Sequence, residues 1–153
     1  MAITLKKAVL ENCSLLHDLQ ICSFKPLLDK YHDYEYNPGA EKLERIIERF
    51  NQPTTDYYMI FWDDALIGGM RVCDFGERCS LKQIFILPEF QNRGLAQQAI
   101  MQVELLYSNA KKWCLDTILQ ENKLCHLYEK LGYCKTGQTK NLQPGMDLVF
   151  YEK

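Results

Sequence analysis

The chain has 153 residues, 47% of them apolar and 25% charged, with a formal net charge of −2. This composition is ordinary for a globular fold and shows no sign of disorder, and the length fits one domain, 1–153, able to bury a sizeable core. The charge balance excludes the basic excess that non-specific nucleic-acid binding needs. No apolar run reaches membrane-spanning length, and the first residues lack the layout of a secretion signal, so a cytoplasmic protein without nucleic-acid or membrane partners is expected.

The seven cysteines are scattered and odd in number, and none forms C-x-x-C. They read as reduced, mostly core-packed thiols, with no metal site and no disulfide framework.

Residues 3–10 alternate well enough for a first strand, with Ile3 and Leu5 as its apolar positions. Asn12 or Ser14 can cap the helix that follows, and Pro26 predicts a bend or break in it. An aromatic and acidic loop comes next, Tyr31-His32-Asp33-Tyr34-Glu35-Tyr36. Leu43, Ile46, Ile47 and Phe50 recur at i, i+3, i+4 and i+7, the stripe of a short amphipathic helix. Residues 56–62 and 65–75 read as a hairpin turning at Asp63-Asp64, with Gly68-Gly69 suggesting a bulge. A central apolar strand then runs to Leu87 and stops at Pro88. Helix 96–110, strand 113–119 and a helix from about 122 to 131 follow, the last closed by Gly132. Strands 132–138 and 146–152 close the chain, joined by the polar loop Lys140-Asn141-Leu142-Gln143-Pro144-Gly145.

The stretch from Leu81 to Ile100 organises the rest. A buried strand feeds a short polar turn, Gln91-Asn92-Arg93, and a helix opens at Gly94. The first turn of any helix has unpaired N–H groups and partial positive charge, which suits an anion. Gly94 lets the backbone approach a ligand, and Arg93 adds a charged fork of donors suited to phosphate. The turn lacks the Gly-Lys-Ser/Thr ending of a P-loop and the three glycines of a dinucleotide loop.

Gln91-Asn92-Arg93-Gly94-Leu95-Ala96 fits Gln/Arg-x-x-Gly-x-Gly/Ala after a strand ending at Pro, and resembles the pyrophosphate loop of the GNAT superfamily of N-acetyltransferases. A second segment, Leu127-Tyr128-Glu129-Lys130-Leu131-Gly132-Tyr133, is similar to the end of the family pattern Asn-x-x-Ala-x-x-Leu-Tyr-x-Lys-x-Gly-Phe. The first half departs from it, because Glu121 holds the Asn position and Leu124 the Ala position. Asn122 falls one residue late, as a coenzyme ligand or as a helix N-cap. The element order β-α-α-β-β-β-α-β-α-β-β is also the usual GNAT order, so the resemblance covers essentially the whole chain. It implies an α/β (α+β) fold, a mixed, mostly antiparallel central sheet flanked by helices.

The resemblance further implies acetyl-CoA (coenzyme A) as acyl donor, held where the central strand and strand 113–119 splay apart. Backbone groups near Phe85, Ile86 and Leu87 would pair with its pantetheine arm, and Gln91, Asn92, Arg93, Gly94, Leu95, Ala96 and Gln97 would bind its diphosphate. Transfer of the acetyl group to a primary amine by direct attack in a ternary complex asks for three things: a donor at the carbonyl, an acid for the thiolate and a neutral amine. An N–H near Ile86 or Leu87 is the candidate donor. Tyr128 is the candidate acid, since a phenol of pKa ~10 can donate to a developing thiolate. His126 lies roughly 200° round the helix from Tyr128 and is expected to face solvent. Gln83 is aimed at the cleft but cannot act as a base. Glu77, His32, Asp33 and Glu35 are left as alternatives for that role.

Tyr31, Asp33, Tyr34 and Glu35 lie where the family places acceptor-binding residues. Their charge and π faces suit a cationic small-molecule or peptide amine. A homodimer is compatible with the resemblance. The competing reading is a non-catalytic module that binds or senses acyl-CoA.

Overall fold

A computed structural model describes residues 2–153. Along the chain come β1 (Ile3–Lys7), α1 (Cys13–Tyr31), α2 (Leu43–Phe50), β2 (Thr55–Trp62), β3 (Ala65–Asp74), β4 (Arg78–Ile86) and α3 (Leu95–Leu106). The chain then adds β5 (Lys112–Ile118), α4 (Asn122–Lys130), β6 (Cys134–Gln143) and β7 (Met146–Glu152). This is the order read from the sequence. The strands form one seven-stranded sheet in the order β1-β2-β3-β4-β5-β7-β6. Every neighbouring pair is antiparallel except β4 with β5, which is parallel.

Helices cover both faces. Leu95, Ala99, Ile100 and Val103 of α3 and Cys125 and Tyr128 of α4 join a core with Met70, Val72, Leu81, Leu115 and Tyr151 of the sheet. On the other face, Leu16 and Leu19 of α1 and Ile46 of α2 pack with Tyr57, Met59 and Phe85. Ile46 is fully buried, so the i, i+3, i+4, i+7 stripe of α2 is its core face.

The structure corrects three expectations. First, α1 continues through Pro26 and ends at His32, which adopts φ 54° and donates its N–H to the Leu28 carbonyl at 2.8 Å. Pro26 and Cys22 are both exposed, so the Cys22 carbonyl that loses its helical partner is left to water. Second, Asn12 does not cap α1 with its side chain; its Oδ1 accepts the Val9 N–H at 2.9 Å. Third, β6 runs on to Gln143 through the expected loop. Most of it is an exposed edge strand, so pairing with β7 rather than an apolar alternation specifies it.

Gly68 and Gly69 serve packing as well as the bulge. The register slips between Ile60 and Phe61 beside them. A Cβ on Gly68 would stand 2.0 Å from the Phe85 carbonyl oxygen, and one on Gly69 would stand 2.5 Å from the Phe85 ring. The two glycines thus let β3 lie hard against the centre of β4. No helix among the described residues is long and apolar enough to cross a membrane.

Candidate active site

The parallel seam between β4 and β5 is short. It pairs Arg78 with Lys112, Cys79 with Trp113 and Ser80 with Cys114, and goes no further. Beyond Ser80, β4 stays with β3 as far as Ile86, while the far half of β5 stays with β7. The two strands therefore diverge, leaving a gap at the middle of the sheet as expected.

The divergence leaves main-chain groups of β4 without a strand partner. Leu87 donates its N–H to the Ile67 carbonyl at 2.8 Å, across the β3 side. Antiparallel pairs alternate, so Phe85 also turns its main chain to β3, and Ile84 and Ile86 turn theirs to the gap. The 2.0 Å approach of the Phe85 oxygen to a Cβ at Gly68 agrees with this. Of the two expected N–H donors, Leu87 is already engaged with Ile67, and Ile86 faces the gap. The Ile86 carbonyl accepts Gln91 Nε2 at 2.8 Å, which ties the polar turn to the strand end.

That turn opens α3 as the sequence suggested. Asn92 and Gly94 adopt φ 63° and φ 76°, and the space where a Gly94 Cβ would point is open for 4 Å. Gln98 donates to the Gly94 carbonyl at 3.2 Å, so the N–H groups of Leu95, Ala96 and Gln97 precede the first intrahelical bond. Arg93 reaches the Glu89 carbonyl only at 3.4 Å and lies 5.6 Å from the centre of the Trp62 ring. Three N–H groups, an open glycine and an exposed guanidinium at one helix end make an anion cradle. The diphosphate of a coenzyme fits this chemistry.

Tyr128 sits in the core between sheet and α4, its ring 6.2 Å from that of Tyr133 and 6.3 Å from that of Tyr151. Tyr133 gives its hydroxyl hydrogen to Glu104 at 2.6 Å, and Tyr151 gives its own to Glu129 at 2.6 Å. Among the described residues no such bond holds the Tyr128 hydroxyl. Burial, and then the charge of Asp116, push its pKa well up, so it stays protonated across the neutral range. His126 is exposed. Asn122 is exposed in the first turn of α4, and the capping position belongs to Glu121.

Asp116 was not singled out in the sequence. Trp113 and Leu115 of β5 point into the α3–α4 core, so the two-residue period turns Asp116 to the α1–α2 face. Desolvation raises its carboxyl pKa from the ordinary value, against the pull of Lys82, Arg71 and Lys140. The residue stays accessible to solvent, so this desolvation is partial. A carboxylate amid the apolar run Trp113-Cys114-Leu115-Asp116-Thr117-Ile118 was the available signal.

The loop expected to bind an acceptor is largely tied to the protein. Tyr31 donates to Glu121 Oε2 at 2.6 Å, and Lys30 reaches the same oxygen at 2.6 Å. Burial works against the Glu121 charge, but these two donors outweigh it and hold the carboxyl below its ordinary range. Asp33 is buried; its Oδ1 accepts the N–H groups of Glu35 and Tyr36 at 3.2 and 2.9 Å, while Oδ2 has no partner among the described residues. Tyr34 and Glu35 are exposed and line a cavity of about 360 Å³ with Glu44 and Glu48 beside α2. None of the residues of the β4–β5 gap lines it. Among the described residues no group of three His, Cys, Asp or Glu side chains converges on a metal position.

Comparison with known proteins follows the same lines. The sequence matches the acetyltransferase (GNAT) family over residues 15–133. No curated protein sequence matches it. Among solved structures, an acetyltransferase from Thermus thermophilus superposes with a TM-score of 0.78 at 17% identity, over 100% of this chain and 97% of that one. The PaiA N-acetyltransferase of Thermoplasma acidophilum, solved with coenzyme A, gives 0.74 at 19% over 100% and 99%. The spermidine/spermine N-acetyltransferase SpeG of Vibrio cholerae gives 0.72 at 18% over 99% and 92%. With the splayed seam and the α3 anion cradle already in place, the match over residues 15–133 means that the chain belongs to the GNAT acetyltransferase family, whose acyl donor is acetyl-CoA.

Proposed function

We propose that the chain, as a single acetyltransferase domain, transfers an acetyl group from acetyl-CoA to a primary amine of a small molecule or peptide, by direct attack in a ternary complex. The observation that carries the reading is the conjunction at the end of β4. The seam with β5 stops at Ser80, the Ile86 main chain faces the gap, and the Tyr128 hydroxyl is left without a partner among the described residues.

Acetyl-CoA supplies an acetyl group activated as a thioester. The N–H groups of Leu95, Ala96 and Gln97, with Arg93, would hold its diphosphate. Ile84 and Ile86, whose main-chain groups face the gap, would pair with its pantetheine, and the Ile86 N–H would serve as the donor to the acetyl carbonyl. Tyr128 would donate its hydroxyl hydrogen to the departing sulfur; its raised pKa keeps it protonated and rules it out as the base.

The incoming amine must first lose a proton. For an alkylamine of pKa ~10.4 at pH 7 this takes about 4–5 kcal/mol, so a proton acceptor in the cleft is worth several orders of magnitude. Asp116, raised in pKa and placed on β5 across from β4, is assigned that role, directly or through one water. Release of free CoA, measured with a panel of amines, tests the reading. Amine-dependent release that Tyr128→Phe lowers by about 10²-fold or more supports it. Tight CoA binding with no release against any amine would point to the non-catalytic alternative.

A further inference from the structure

Tyr57, Arg71 and Gln83 stand in one row across three strands. Tyr57 pairs with Arg71 on β2–β3, and Arg71 pairs with Gln83 on β3–β4. Tyr57 belongs to the core on the α1–α2 face, and Gln83 shares its side of β4 with Phe85 of the same core. Each carries a buried polar atom with no well-formed hydrogen bond among the described residues: the Tyr57 hydroxyl, which lies beside the Arg49 guanidinium, Arg71 Nε and Gln83 Oε1. Native interiors leave few such atoms, and each calls for an explanation. Three of them stand in adjacent register positions, on the face where Asp116 also points, and form a cluster of polar groups that the described residues leave unsatisfied.

Charge identifies what would fill it. Arg71 makes no ion pair among the described residues; its one side-chain contact is Nη1 to Cys73 Sγ at 3.9 Å. Of the groups around it, Arg49 is cationic and is itself answered by Glu41 at 2.6 Å. Glu41 is further committed to Gln20 Nε2 at 2.8 Å. Asp116 is within electrostatic reach of Arg71 but shares its field with Lys82 and Lys140. Burial presses the Arg71 pKa down, yet a guanidinium does not give up its proton in a protein. The cluster thus holds a half-buried, planar cation with no ion-pair partner among the described residues, and a carboxylate matches its fork.

We infer that the amine acceptor carries a carboxylate held by Arg71 and the Tyr57 hydroxyl, with Gln83 Oε1 accepting an N–H of the same molecule. The acceptor class is then an amino carboxylic acid. This rests on the acyl-transfer reading and narrows it, and it replaces the cationic acceptor suggested by the residues 31–36 loop. In that loop, among the described residues, Asp33 Oδ2 is the one buried side-chain acceptor without a partner, and Glu35 is exposed at a cavity away from the β4–β5 gap.

The test uses matched acceptors: amino acids, their carboxamides, the amines left by removing the carboxyl group, and diamines of equal length. Free CoA release is followed for the wild type, Arg71→Met and Arg71→Lys. Wild-type kcat/KM is expected to favour the carboxylates by at least about tenfold. Arg71→Met should erase that preference with the KM for acetyl-CoA unchanged, and Arg71→Lys should restore part of it. An independent readout is the Arg71 Nε–H resonance in the CoA-bound protein, which should move on adding the carboxylates and stay in place with the carboxamides. Turnover with diamines or carboxamides equal to that with the carboxylates would overturn the inference while leaving acyl transfer intact. So would an Arg71→Met enzyme that keeps the preference. Failure of every amine together with failure to bind CoA would instead remove the acyl-transfer reading and this inference with it.

Discussion

The Leu87 N–H is bonded to the Ile67 carbonyl at 2.8 Å, and this one contact decides which way β4 faces. It turns Phe85 and Leu87 to β3 and leaves Ile84 and Ile86 to the gap. The arrangement depends on β3 approaching without side chains, since a Cβ at Gly68 would meet the Phe85 oxygen at 2.0 Å. Gly68→Ala should therefore force the strands apart. Overpacking of this kind destabilises by about 1–3 kcal/mol, a fall of roughly 2–4 °C in Tm per kcal/mol. Activity should fall further than stability, because Ile86 moves with the strand; a thermal melt and a CoA-release assay on the same sample check both.

Tyr128 separates an acid from a packing residue. Its hydroxyl makes no hydrogen bond among the described residues, so Tyr128→Phe should leave Tm and CoA affinity close to wild type while kcat falls about 10²-fold or more. A wild-type kcat in the variant would assign Tyr128 to the core alone.

Asp116→Asn is expected to lower kcat/KM for amines by about 10²–10⁴. The stability effect has the opposite sign. The folded pKa is raised, so the charged carboxylate is disfavoured by folding, and the group favours the folded state only at pH values low enough to protonate it. At neutral pH the variant should melt no lower than wild type. A drop in Tm with unchanged kcat/KM would make Asp116 structural.

Glu121 ties the end of α1 to the start of α4 through Tyr31 and Lys30. Its folded pKa lies below its ordinary value of 4.5, so the stabilising share is complete above that value and disappears as pH falls through the folded pKa. Tyr31→Phe should lower Tm by roughly 2–4 °C at pH 7, and the gap should narrow below pH 4.5. Parallel melts from pH 7 down to pH 3 test this.

The parts of the site that local rules govern were legible in the sequence. Gly94 behind Arg93 marked the start of α3, and the 3.6-residue stripe of Leu43, Ile46, Ile47 and Phe50 marked α2. Pro26 misled because its effect depends on whether the Cys22 carbonyl meets water, which only the packing of α1 decides. β6 was cut short because an exposed edge strand carries no apolar alternation. Asp116 and Arg71 were missed for a different reason. Their meaning comes from register across β2, β3, β4 and β5, and no window of consecutive residues contains it. Tyr57, Arg71 and Gln83 are far apart in the chain and adjacent only after the strands pair.

The coenzyme is proposed to be held by main-chain donors at the start of α3 and on the gap side of β4. A titration of uniformly ¹⁵N-labelled protein with CoA, followed by amide resonances, tests it most directly. The largest saturable shifts are expected at Leu95, Ala96, Gln97 and Ile86, with Leu87 little moved because its N–H stays on Ile67. Saturation that leaves those four amides in place and shifts others would contradict it.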